Sequence, residues 1–115
     1  MLLTFDSLRV HVGGAIGTDW TTIDRLLFRI DPNAATVKGQ AVLAGDKATE
    51  ERTFPIHEQL DQVKALARKF YTIRRPKAVA AASVVIDYTT RTADVSIFYT
   101  SQADAKLKHV ERHEF

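Results

Sequence analysis

The chain has no cysteine. A disulfide framework, a thiol nucleophile and a Cys-ligated zinc are thereby excluded, and a reducing cytoplasm suits such a chain. A marked excess of one charge is missing as well: 16 Lys and Arg stand against 14 Asp and Glu, a net charge of +2. So even a balance leaves a weak electrostatic footprint for nucleic acid, whose binders concentrate positive charge. Long apolar runs are also lacking. The longest near the middle, AVAAASVVI over 78–86, is too short to span a bilayer. The opening MLLTFDSLRVHVGG has no basic start, and Asp6 and Arg9 interrupt it, so neither a signal peptide nor a membrane helix is expected. The expectation is a soluble, cytoplasmic protein without a membrane partner.

Signatures of catalysis and cofactor binding are equally scarce. The cluster GGAIG at 13–17 has neither the GxGxxG spacing nor a P-loop lysine, and reads as a turn or helix exit. Ser7, Ser83, Ser96 and Ser101 lack an elbow motif and a histidine–acid set. The stretch HVERH at 109–113 spaces His109 and His113 for one helical face, but valine follows the first histidine where metalloproteases carry glutamate. No cofactor, metal site or enzymatic activity is expected.

What is present suits one folded domain over residues 1–115: 45% of residues are hydrophobic and 26% charged, ordinary globular values. Residues 3–16 carry Phe5, Leu8, Val12 and Ile16 at roughly helical spacing, although Leu8, Val10 and Val12 alternate as in a strand; helix is the preferred reading. TTIDRLLFRID at 21–31 alternates clearly, with Leu26, Phe28 and Ile30 on one face and Arg25, Leu27 and Arg29 on the other. Strands follow at 37–44 and 50–54. A helix starting at Pro55 carries the stripe Leu60, Val63, Leu66, Ala67 and Phe70 and ends near Tyr71. The order α-β-β-β-α-β-β describes an α+β domain, an antiparallel sheet with helices packed on one face. Residues 102–115 read as a charged tail or a short terminal helix.

The stretch VVIDYTTRTADVSIFY at 84–99 reads as a hairpin, its first strand reaching back as far as Ala80. A turn centred on Thr90 and Arg91 pairs Tyr88 with Ala93, Ile86 with Val95 and Val84 with Ile97, and sets Asp87 opposite Asp94. Like charges placed so repel. With helices on one side of the sheet, these acids fall on the open face with Phe98, and Arg25 or Arg29 from a neighbouring strand, or Arg91 in the turn, can neutralise them. Phe98 beside carboxylates suits a protein interface, an apolar anchor with a charged rim. Elsewhere RKFYTIRRPK at 68–77 interleaves aromatics with Arg68, Lys69, Arg74, Arg75 and Lys77, a pattern that can meet bases and phosphates.

Three features together resemble the YezG-like immunity and antitoxin proteins of bacteria over about residues 3–100: Trp20 in TDWTTID, the helix from Leu60 to Phe70, and Ile97, Phe98 and Tyr99 closing a strand. The resemblance implies a small α+β protein that neutralises a partner toxin, often a nuclease. The even charge balance departs from strongly acidic mimics of nucleic acid, so occlusion would rest on a local patch such as Asp87 and Asp94. The function expected is a non-enzymatic protein-binding module blocking its partner sterically, with Phe98, Asp87, Asp94, Arg25 and Arg29 at the interface. Two alternatives stand: a nucleic-acid-binding protein using the basic 68–77 segment, and a structural subunit assembling as a homo-oligomer.

Overall fold

The computed structural model describes residues 5–31, 36–55, 60–66, 79–99 and 107–115, save the side chains of 79, 80, 98, 99, 107 and 108. Helix α1 runs Phe5–Ile16 and buries Leu8 and Val12. It stops at Gly17, whose φ of 74° a side chain would resist. The Thr18 amide then donates to the Gly13 carbonyl at 3.0 Å, closing the C-terminal turn. A 3-10 turn over Trp20–Thr22 follows, capped by the Asp19 side chain.

Among the described residues seven strands form one antiparallel sheet: β1 Ile23–Ile30, β2 Thr36–Leu43, β3 Lys47–Ala48, β4 Arg52–Pro55, β5 Val79–Asp87, β6 Thr92–Tyr99 and β7 Leu107–Glu114. Their order is β3-β2-β1-β5-β6-β7, and β4 also pairs with β2. Because β1 occupies one side of β2, both short strands share the other. Thr49 bridges them, its amide donating to the Ala41 carbonyl at 2.8 Å and its hydroxyl accepting from the Ala41 amide at 3.0 Å. The polar edge strand expected at 50–54 corresponds to β4, and β3 at Lys47–Ala48 is a further short strand ahead of it.

Alternation places Leu26, Phe28 and Ile30 of β1 beside Ile86, Val84 and Ala82 of β5, which in turn pair with Ala93, Val95 and Ile97 of β6. All nine are buried in one cluster with Leu8 and Val12 of α1 and with Leu60 and Val63 of the helical segment 60–66. Pro55 ends β4, paired with Thr36, instead of starting the helix. Phe70 and Tyr71 lie outside the described residues. No helix of the described residues is long and apolar enough to cross a membrane.

The expected order α-β-β-β-α-β-β gives way to one helix, four strands, the helical segment 60–66 and three strands among the described residues. Two further expectations are overturned. The C-terminal segment is neither a loose tail nor a helix over residues 107–114: it is β7, an edge strand paired with β6. The hairpin register is also shifted by two residues, so that Asp87 pairs with Thr92 and Asp94 with Val85. Both favoured two-residue turns need a positive φ at the first central position, a poor fate for β-branched Thr90. The longer turn asks this of Arg91 alone, at φ 56°. Tyr88 leaves the ladder with β6, and its hydroxyl donates to the Phe5 carbonyl at 2.6 Å, tying the turn to α1.

Gly39 faces the core opposite Phe28. A Cβ there would lie 3.0 Å from the Phe28 ring and 3.1 Å from that of Phe54. Gly39→Ala is expected to lose about 1–3 kcal/mol through overpacking, read as a lower urea midpoint at unchanged m-value.

Candidate protein-binding face

Both helical segments feed the same cluster, so among the described residues they cover one face of the sheet. The other face is a lattice of cross-strand rows. One row runs Val42, Arg25, Asp87, Thr92, Glu114; the next Gln40, Leu27, Val85, Asp94, Arg112; the third Lys38, Arg29, Ser83, Ser96, His109.

The two acids share this face, as the alternation implied, but they are not opposite one another, and each has partners of its own. Asp87 caps its turn: its Oδ1 accepts from the amides of Thr89 at 2.9 Å and Thr90 at 3.2 Å and from the Thr89 hydroxyl at 2.6 Å. Burial works to raise its pKa, yet these bonds, with Arg25 across the strand, hold the carboxyl below the ordinary carboxylate value. Asp94 accepts from Arg112 Nε at 2.8 Å and lies 2.9 Å from His109 Nε2. The Arg112 hydrogen bond outweighs partial burial and, with His109, depresses the Asp94 pKa as well. Arg91 serves elsewhere, bonded to Asp6 at 3.1 Å and to the Phe115 backbone oxygen at 2.9 Å.

A bulge brings His109 and Arg112 to one carboxylate. Val95 pairs with Glu111 and the next residue, Ser96, with His109, leaving Val110 as the extra residue of β7. The strand thereby changes face between them. His109 looks onto the open lattice, while His113 pairs with Ala93 and contacts Glu111 at 2.9 Å on the other side. The shared helical face expected for the two histidines does not exist. Among the described residues no cluster of three His, Asp or Glu side chains is placed to hold a metal ion.

The cations of β1 and β2 are held less firmly. Arg25 reaches Asp46 at 3.3 Å, but Asp46 is 91% exposed, and such pairs contribute little. Arg29 and Lys38 are exposed, lie directly across from each other, and have no acidic partner among the described residues. Beside them the half-buried Leu27 and Val85 pair at the centre of the face. Neither was singled out from the sequence as a site residue, although Leu27 alternating with Arg25 and Arg29 was the readable signal. Phe98 occupies β6 two residues beyond Ser96, paired with Ala81 and Leu107; its side chain is outside the described residues. So are Arg68, Lys69, Arg74, Arg75 and Lys77. Compared with protein-family models, curated proteins and solved structures, the chain matches none.

Because the Asp94 pKa is depressed by folding, its contribution to stability is present above the ordinary value of 3.8 and lost as pH falls through the folded-state pKa. Asp94→Ala is expected to lower stability by about 1 kcal/mol at neutral pH. The gap from wild type should close progressively below pH 3.8 in urea titrations. A gap that persists in acid would show that the ion pair is not its source.

Proposed function

We propose that this chain is a non-enzymatic protein-binding module that docks through its uncovered sheet face, and that it serves as a bacterial immunity protein blocking a partner toxin in the cytoplasm. The observation that carries the docking reading is the Leu27–Val85 pair: two hydrocarbon side chains at the centre of a face that no described element covers, ringed by charge. An apolar centre with a polar rim is the layout in which a few residues supply most of the binding energy. Phe98, assigned as an anchor from the sequence, is kept in the proposal as a further residue of β6. Arg25 and Arg29 keep their place on its rim. Asp87 and Asp94, first assigned to meet basic groups of the partner, now serve chiefly to hold the face in shape. The toxin-neutralising part of the proposal draws on the resemblance to YezG-like proteins.

Capture from a lysate of the source organism should retain one protein in stoichiometric amount on wild type and lose it on Leu27→Glu and Val85→Glu, with both variants matching the wild-type unfolding midpoint. Loss of a central anchor should weaken the isolated complex about 30-fold, the size of a 2 kcal/mol hot spot. Coexpression should then protect cells from that partner with wild type and fail with either variant. A partner indifferent to both substitutions would remove the face from the mechanism, and a non-toxic partner would remove immunity.

A further inference from the structure

The geometry points to an acidic protein segment as the occupant of the open face, an inference that rests on the docking role proposed above. Charge on this face is unevenly committed. Asp87 is used by its turn, and Asp94 by Arg112 and His109. Glu114 stands at the far edge, near enough to Arg112 to act on it electrostatically. At the opposite end Arg29 and Lys38 face solvent side by side with no carboxylate to meet them among the described residues, while Arg25 bonds the exposed Asp46 and acts electrostatically on Asp87. Two adjacent like charges cost stability in isolation, and a carboxylate from outside relieves that repulsion. The row continues through Ser83 and Ser96, whose hydroxyls can also donate.

Leu27 and Val85 border this cationic corner. A partner segment that carries an apolar side chain next to carboxylates matches both features: the hydrocarbon covers the pair while the acids bridge Arg29 and Lys38. A nucleic-acid strand fits less well. Its backbone needs a longer track of cations, and among the described residues Arg29 and Lys38 beside a hydrocarbon pair do not provide it.

The test is an NMR titration of the isotope-labelled chain with poly-L-glutamate, and separately with poly-L-lysine and a short DNA duplex. Saturable shifts with polyglutamate at Leu27, Arg29, Lys38 and Val85 are expected. Arg29→Glu/Lys38→Glu should weaken that binding about tenfold or more while leaving the unfolding midpoint in place, and Arg29→Gln/Lys38→Gln should fall between. Polyglutamate shifts elsewhere, an unaffected charge-reversed variant, or stronger binding of polylysine or DNA at this corner would overturn the acidic assignment. If polyglutamate fails while the captured partner still depends on Leu27, the docking face stands and only its complement is wrong. Indifference of the partner to Leu27 and Val85 brings down the face itself, and this inference with it.

Discussion

One carboxylate oxygen holds the turn that sets how β6 lines up on β5. Asp87 Oδ1 gathers two amides and a hydroxyl from the turn that follows it, and the turn so formed decides which residue of β6 meets which of β5. A register error of two residues preserves the split between buried and open faces, because side chains alternate with period two. It would nevertheless move every row of the open face. Asp94 would lose its place opposite Val85, Arg112 and His109 would follow β6 along, and the apolar pair at the centre would be framed differently. The turn is thus the origin from which the lattice of the face is counted.

Elements whose signal is local were legible in the sequence. The alternation of β1, the buried stripe residues Leu60 and Val63, the helical reading of α1 and the division of residues 84–97 into two faces all follow from side-chain periodicity. Register was not legible, because it depends on the competition of a side-chain oxygen with the ladder for the Thr89 and Thr90 amides. β7 escaped for a different reason. Lys, His, Glu and Arg in close succession read as a solvated end, and Asp94 of the neighbouring strand, with the pairing of Glu111 and His113, makes a charged strand sensible there. The division of β3 from β4 turns on one threonine side chain, which no period reveals.

Net charge conceals this arrangement. A balance of +2 suggests an electrostatically bland surface, yet the sheet gathers committed acids toward β5–β7 and, among the described residues, leaves Arg29 and Lys38 on β1 and β2 without a carboxylate. The structure spends Asp87 and Asp94 on its own strands, while Arg29 and Lys38 meet no carboxylate among the described residues. Total charge measures solubility and long-range attraction. Recognition is set by which charges have already found a mate.

Both margins of the sheet are interrupted. On one side Thr49 separates two short strands, the second of which ends at Pro55; on the other, Val110 bulges from a strand dense in charge. Unpaired backbone at a sheet margin is an invitation to add further strands, and bulges, prolines and charges withdraw it. Self-templated growth into fibrils is accordingly discouraged at both margins, even when the chain is crowded. Contact with other molecules is diverted from the backbone to side chains, and side chains, unlike backbone, can tell one partner from another.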